Sequence, residues 1–141
     1  MRSNEKDDPP TTFSKRATRR LIQRAFVLAG RDKHLRQQIR EAYLATLWVV
    51  QDSNISWTVM VDRARLNFER CPVKKPDLTF TFRSVEEFFQ QAEEGISMER
   101  LFQLDCNPQL QRLAEILLNC FFKSLRHVLA NPVDDVGESL L

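Results

Sequence analysis

Residues 55–62 read ISWTVMVD and residues 76–82 read PDLTFTF, and these two stretches decide the fold. In both, large apolar residues stand at every second position, and the residues between them are mostly serine or threonine. A period of two places the apolar side chains on one side of an extended strand. Both stretches therefore predict half-buried β-strands, and residues 64–69, which alternate in the same way, predict a third.

Further strand signals lie on both sides of these stretches. Residues 43–50 are rich in β-branched and aromatic residues and predict a strand, which the turn cluster at residues 52–54 separates from the next one. Residues 102–106, with apolar side chains at alternate positions, form a candidate last strand. Consecutive strands joined by short turns pair antiparallel, so we expect an antiparallel meander.

The N-terminal part of the chain has the period of a helix. Ser14 is suited to cap a helix that runs to about Ala29, with apolar residues recurring on one side, and Gly30 is expected to interrupt it. Asp32 can then cap a second helical stretch that continues toward Tyr43.

Two more helices follow the strands. Ser84 and Glu87 have the spacing of a capping box, and the helix that they open is expected to stop at Gly95. Pro108 stands in the favoured first position of a last helix, which runs to about Ala130 with a leucine-rich face.

This order of elements predicts an α+β fold in one two-layer domain. We expect an about five-stranded, largely antiparallel sheet with helices covering one face, formed by residues 14–131. Residues 1–13, which are polar and acidic, read as a disordered tail, and residues 132–141 read as a frayed tail. The length of 141 residues suits one domain.

The three cysteines, Cys71, Cys106 and Cys120, are odd in number and lack CxxC spacing. They predict neither a disulfide framework nor a metal clip, and they are typical of small buried side chains in a reducing compartment. We therefore expect a cytoplasmic protein. No apolar run approaches the roughly 18 residues that span a bilayer.

The chain from residue 54 to residue 122 resembles the sterol-carrier-protein type 2 family of lipid-binding domains. The resemblance lies in the tryptophan-containing strand at 55–62, the Pro-Asp-Leu-Thr strand at 76–82, the helix from Ser84 that ends at a glycine, and the final leucine-rich helix. It implies a five-stranded sheet with an apolar cavity under its helices. Members of the family carry sterols or fatty acyl chains, or assist enzymes with lipophilic substrates such as ubiquinone precursors. The chain departs from the family at Ile96, where a basic residue is usual, and at Cys106-Asn107, where a glycine-acid pair is usual.

Bulky apolar residues form the candidate ligand-binding set. Ten phenylalanines beside only three glycines supply many rigid rings, which do not readily fill a thin two-layer core. Each ring taken singly also suits an ordinary core position. The candidate lining consists of Trp57, Val59, Phe68, Phe80, Phe82, Phe88, Phe89, Phe102, Leu113, Leu117 and Phe121.

Positive charge is concentrated near the N-terminus. Nine basic residues and one acid lie between Lys15 and Arg40, a local net charge of +8 in a chain whose total is +2. The basic face is either a solvated surface, a contact for an anionic membrane, or a dock for an acidic protein or nucleic acid. The candidate contact residues are Arg16, Arg19, Arg20 and Arg24.

Nothing in the sequence points to catalysis. The two histidines, His34 and His127, lie in different predicted helices without a carboxylate at metal-ligand spacing, and no nucleophile motif or phosphate-binding glycine loop occurs. We therefore expect no enzyme, no cofactor and no metal. The favoured function is the binding or carriage of a lipophilic small molecule, by a carrier or by an accessory protein of a lipid-modifying pathway. The alternative is a non-catalytic interaction or regulatory module with a filled pocket, which docks a protein or, less favoured, nucleic acid through the basic helix.

Overall fold

The computed structural model describes residues 13–71, 75–94 and 108–141. Within these ranges four helices and four strands form an α+β fold. The helices are α1 (Lys15–Arg31), α2 (Lys33–Gln38), α3 (Val85–Glu94) and α4 (Pro108–Ala130). The strands are β1 (Tyr43–Val50), β2 (Ile55–Asp62), β3 (Arg65–Glu69) and β4 (Leu78–Phe82).

Helix α1 begins where the sequence predicts. The Ser14 hydroxyl accepts a hydrogen bond from the Ala17 amide at 3.1 Å. The predicted stop at Gly30 is wrong, since the helix continues to Arg31 and ends at Asp32, whose amide donates to the Ala29 carbonyl at 3.1 Å. The carboxylate of the same Asp32 accepts from the Leu35 amide at 2.9 Å and so begins α2. One residue thus ends one helix and caps the next, and aspartate is a better N-cap than glycine.

Helix α2 is shorter than the sequence predicts. It ends at Gln38, and Tyr43 is the first residue of β1, not part of the helix. The strand pattern of residues 43–50 therefore prevails over the helical spacing that reaches Tyr43. Tyr43 is 67% exposed, so packing against the core does not favour a helical conformation at this residue.

The sheet is mixed and has the strand order β3-β2-β1-β4 among the described residues. Strands β1, β2 and β3 pair antiparallel as predicted, whereas β4 pairs parallel with β1, from Thr46 opposite Leu78 to Val50 opposite Phe82. The expectation of a largely antiparallel sheet is therefore wrong for this edge. The predicted fifth strand at 102–106 lies outside the described residues.

The parallel pairing arises because the chain changes edge between β3 and β4. The Thr58 hydroxyl, on the face of β2 opposite to the helices, donates to the Cys71 carbonyl. Next to β4, the Asp77 amide donates to the Ala45 carbonyl, and the Asp77 carboxylate accepts from the Ala45 amide, each at 2.8 Å. Strands β3 and β4 lie three strand spacings apart, which is about 14 Å. The residues between Glu69 and Leu78 can span this distance, whereas a short turn cannot.

One face of the sheet meets the helices. The side chains that alternate toward this face are buried in a single core with the apolar faces of α1, α3 and α4. On the other face the β3 side chains are exposed and most β1 side chains are half-buried. None of the helices in the described ranges has the length and apolar character that crossing a membrane requires.

Residues 132–141 do not fray as the sequence suggests. Val133 and Ser139 form an antiparallel bridge, and the Leu140 side chain is only 5% exposed and belongs to the core. Two arginines of α1 bind Asp135. The two ion pairs join residues more than 100 positions apart in the chain, so the local sequence pattern carries no sign of them.

Candidate binding site

The aromatic residues of the candidate ligand set lie together in the core. Their rings, with four others, form one connected network between the sheet and the helices, which we call the ring network. It consists of Phe13, Phe26, Trp48, Trp57, Phe68, Phe80, Phe82, Phe88, Phe89, Phe121 and Phe122. Phe102, the remaining aromatic candidate, lies outside the described residues.

The ring network is closely packed at its centre. Ring centroids are 4.6 Å apart between Phe26 and Phe121, between Trp48 and Phe80, and between Phe82 and Phe88. Aromatic rings at such distances are in van der Waals contact, mostly edge to face, and leave no space for a ligand between them. These contacts account for the burial of the rings without a bound molecule.

Sequence reasoning overlooked two residues in the middle of the network. Phe26 joins Trp48, Trp57, Phe68 and Phe121. It lies on the apolar face of α1, and Trp48 occupies an inward position of β1, so the helical period and the strand alternation mark both as core positions.

Two buried polar groups have different surroundings. The Trp48 indole Nε1 donates to the Thr46 hydroxyl at 2.9 Å, and that hydroxyl donates to the Val59 carbonyl at 2.8 Å. The Trp57 indole Nε1 is buried without a hydrogen-bond partner in the described part of the chain. A buried donor left in this state costs about 1–3 kcal/mol.

The non-aromatic candidates fall in two places. Val59 and Leu117 are buried in the core, at 2% and 4% exposure. Leu113 instead lies in a surface groove between α2 and α4, which we call the α2–α4 groove.

The α2–α4 groove has two adjoining parts. The larger, of about 400 Å³, is lined by Gln37, Gln38, Arg40, Glu41, Ala42, Gln109, Arg112, Leu113 and Ile116. The smaller, of about 260 Å³, is lined by Asp32, His34, Leu35, Gln38, Ile116, Asn119, Cys120 and Lys123. Gln38 and Ile116 line both parts. The α4 side chains recur at intervals of three and four, so one face of that helix forms a wall of the whole groove.

Apolar groups and charged groups are separated within the groove. Leu35 is buried and Leu113 and Ile116 are half-buried, so aliphatic side chains form its floor. At the larger part, the Arg40 and Arg112 guanidinium groups make no hydrogen bond or ion pair with the described residues. A ligand with an apolar chain and an anionic end would find partners for both.

The smaller part of the groove has a half-buried thiol beside charged groups at its rim. Burial, with a contribution from the Asp32 carboxylate, raises the pKa of the Cys120 thiol to about 11. Lys123 Nζ lies 3.9 Å from Asp32 Oδ2, a long ion pair at the rim. His34 lines this part, whereas His127 lies in the last turn of α4. Within the described ranges, no three His, Cys, Asp or Glu side chains are placed to hold a metal ion.

The four arginines predicted to contact a membrane or partner differ in their surroundings. Arg24 Nη1 lies 3.0 Å from Asp135 Oδ1, and its side chain is only 16% exposed. Arg20 donates to the Ser139 carbonyl at 3.3 Å. Arg16 is exposed and Arg19 is half-buried. Residues 132–141 therefore occupy part of the basic face that the sequence presents as free.

Comparison of the chain with protein-family models, with curated protein sequences and with solved structures finds no match. The resemblance to sterol-carrier proteins accordingly stays a prediction.

Proposed function

We propose that this protein binds a lipophilic ligand with an anionic end group, without catalysing its conversion, and that the ligand lies in the α2–α4 groove. It would serve as a carrier or as an accessory protein of a lipid-modifying pathway. The observation that carries the proposal is the aliphatic floor of the groove beside two guanidinium groups, Arg40 and Arg112, that the described residues leave without partners.

The size of the groove is in keeping with this role. Ligand sites in proteins commonly enclose about 300–1,000 Å³, and the larger part alone has about 400 Å³. Each methylene removed from water contributes about 0.8 kcal/mol, so about ten methylenes match the roughly 8 kcal/mol of a micromolar dissociation constant before ordering costs are counted. The Leu113 and Ile116 side chains are the surfaces that an acyl chain would cover.

The end group gives the ligand its orientation. Arg112 and Arg40 flank the larger part, where Glu41 is the one carboxylate in the lining. A carboxylate or phosphate that approaches the two arginines forms charge-assisted hydrogen bonds, which are about twice as strong as neutral ones. The chain would then extend along α4 toward the half-buried Cys120 thiol.

Palmitate binding to groove variants tests this proposal. We expect palmitate to displace a fluorescent fatty-acid analogue from the wild type, and Leu113→Trp, which fills the groove, to abolish displacement. The matched control is Leu129→Trp, since Leu129 is a half-buried leucine on the same helix that does not line the groove. Arg112→Gln should weaken palmitate more than hexadecanol, because only palmitate has a charged end.

A second candidate function is favoured by the ring network. Its close contacts leave the core filled, as in an interaction module that binds a partner through its surface. If the purified protein carries no apolar molecule on native mass spectrometry, and if palmitate and hexadecanol fail to displace the analogue from the wild type, the ligand-binding proposal is refuted and the interaction module stands.

A further inference from the structure

The smaller part of the α2–α4 groove contains a pair of opposite charges that do not touch. Lys123 Nζ lies 3.9 Å from Asp32 Oδ2, whereas charge-assisted N–H···O hydrogen bonds have heavy-atom distances of about 2.7–2.9 Å. The other carboxylate oxygen, Asp32 Oδ1, accepts from the Leu35 amide at 2.9 Å. Within the described part of the chain, Oδ2 and Nζ therefore keep unused hydrogen-bonding capacity.

Both charged groups are accessible from the groove. Asp32 and Lys123 are among its lining residues, and their side chains are 26% and 64% exposed. An ammonium group only donates hydrogen bonds and a carboxylate only accepts them. A single group that satisfies both must accept from one and donate to the other, and a hydroxyl does this. A second carboxylate could accept from Lys123, but it would bring its negative charge beside Asp32.

This pair stands at the far end of the groove from the two unpartnered arginines. Lys123 and Arg112 are eleven positions apart on α4, which is about 16 Å along the helix axis. Ile116 lines both parts of the groove, and the buried Leu35 lies beside the same stretch. The groove thus has polar groups at each end and aliphatic side chains between them, along one straight face of a helix.

We propose that the ligand of the α2–α4 groove is an ω-hydroxy fatty acid, an unbranched chain with a carboxylate at one end and a hydroxyl at the other. This inference rests on the proposed function and names the class of its ligand. The carboxylate binds Arg40 and Arg112, and the hydroxyl accepts from Lys123 Nζ and donates to Asp32 Oδ2. An unsubstituted fatty acid places a methyl group beside these two charges and gains neither hydrogen bond.

Displacement of a fluorescent fatty-acid analogue from the wild type by four related acids tests the inference. ω-Hydroxypalmitate should bind about fivefold more tightly than palmitate, a modest gain because Lys123 is largely exposed. α-Hydroxypalmitate, whose hydroxyl stays beside the carboxylate, should bind as palmitate does. Hexadecanedioate should bind less tightly than ω-hydroxypalmitate, because its second carboxylate meets Asp32.

Variants of the charged pair test the role of each group. Lys123→Met removes the donor and should make the affinities for ω-hydroxypalmitate and palmitate equal. Asp32→Asn removes the charge but keeps a good N-cap for α2, and it should reduce the preference. The matched control is Lys15→Met, which removes the same charge at an exposed position of α1 outside the groove and should retain the fivefold preference.

The outcomes separate this inference from the proposed function. If palmitate displaces the analogue and ω-hydroxypalmitate is no better, the inference is overturned while ligand binding stands. Tighter binding of hexadecanedioate than of ω-hydroxypalmitate, or a preference for the hydroxyl that survives in Lys123→Met, would also overturn it, since neither result needs a hydroxyl between Lys123 and Asp32. If none of the four acids displaces the analogue, the ligand-binding function is refuted and the inference falls with it.

Discussion

Replacement of Phe121 by alanine measures whether the core is filled. The side chain is 2% exposed, and its ring centroid lies 4.6 Å from that of Phe26, 4.8 Å from Trp48, 5.1 Å from Phe122 and 5.4 Å from Phe88. With rings on so many sides, the neighbours cannot all move into the vacated space. We therefore expect the variant to lose about 3–5 kcal/mol of unfolding free energy, the range for a buried phenylalanine in a rigid core.

Urea unfolding followed by far-UV circular dichroism gives this loss. Phe121→Leu retains most of the volume and should cost less than about 1.5 kcal/mol. Tyr43→Ala is the control for removal of an exposed ring, and since it loses at most the contact with Arg63, 5.6 Å away, it should cost less than about 1 kcal/mol. A loss below about 1.5 kcal/mol for Phe121→Ala would refute the filled core, because a ring that borders a hollow has fewer contacts to lose.

Three further predictions concern glycine, acid and thiol groups. Gly30→Ala should raise the unfolding free energy by about 0.5–1 kcal/mol in urea titrations, since a Cβ there would meet its nearest atom at 3.5 Å, whereas Gly137→Ala should lower it because of the positive φ. Two arginines hold the pKa of Asp135 well below its usual range, so its stabilising contribution is present at neutral pH and is lost as pH falls below about 4. The difference in stability between wild type and Asp135→Asn should therefore shrink in acid, and a difference that grows would contradict the ion pairs. At pH 8, iodoacetamide should modify Cys71, which is exposed, faster than Cys120, whose pKa is raised to about 11, as peptide mass spectrometry will report.

The sequence predicts local structure well because local signals determine it. Alternation predicts β2, β3 and β4, and caps at Ser14 and Ser84 predict where helices begin, as the Glu87 amide bond to the Ser84 hydroxyl at 3.1 Å confirms. The parallel partner of β4 was beyond prediction. Alternation states which side of a strand is buried, but it does not state which neighbour the strand joins.

The long-range ion pairs of Asp135 could not be predicted from the sequence either. Asp135 stands in a stretch that reads as a polar tail, and its partners Arg24 and Arg31 lie at the other end of the chain. The same pairs change the interpretation of the basic helix, because they remove Arg24 from the free positive surface. Single-sequence patterns hold no information about such pairings.

For the candidate site, the sequence identified the rings but not their spacing. Phe80, Phe82, Phe88 and Phe121 are buried in one region, as the apolar pattern predicts. Whether such rings border a hollow or touch one another depends on differences of a few ångströms between layers. Residue type does not determine that difference. The structure does show it, because ring centroids 4.6 Å apart mean that the rings touch one another.

Helix α4 connects the core with the groove and favours a surface site over an interior one. Leu117 and Phe121 face the core, whereas Leu113, Ile116 and Cys120 line the α2–α4 groove. A ligand that entered the core would first have to separate ring contacts, at a cost comparable to the 3–5 kcal/mol that loss of one buried ring incurs. A ligand in the groove needs no such opening, because the packed rings beneath α4 already hold the groove wall in place. Pre-formed apolar sites of this kind retain more of their contact energy as affinity.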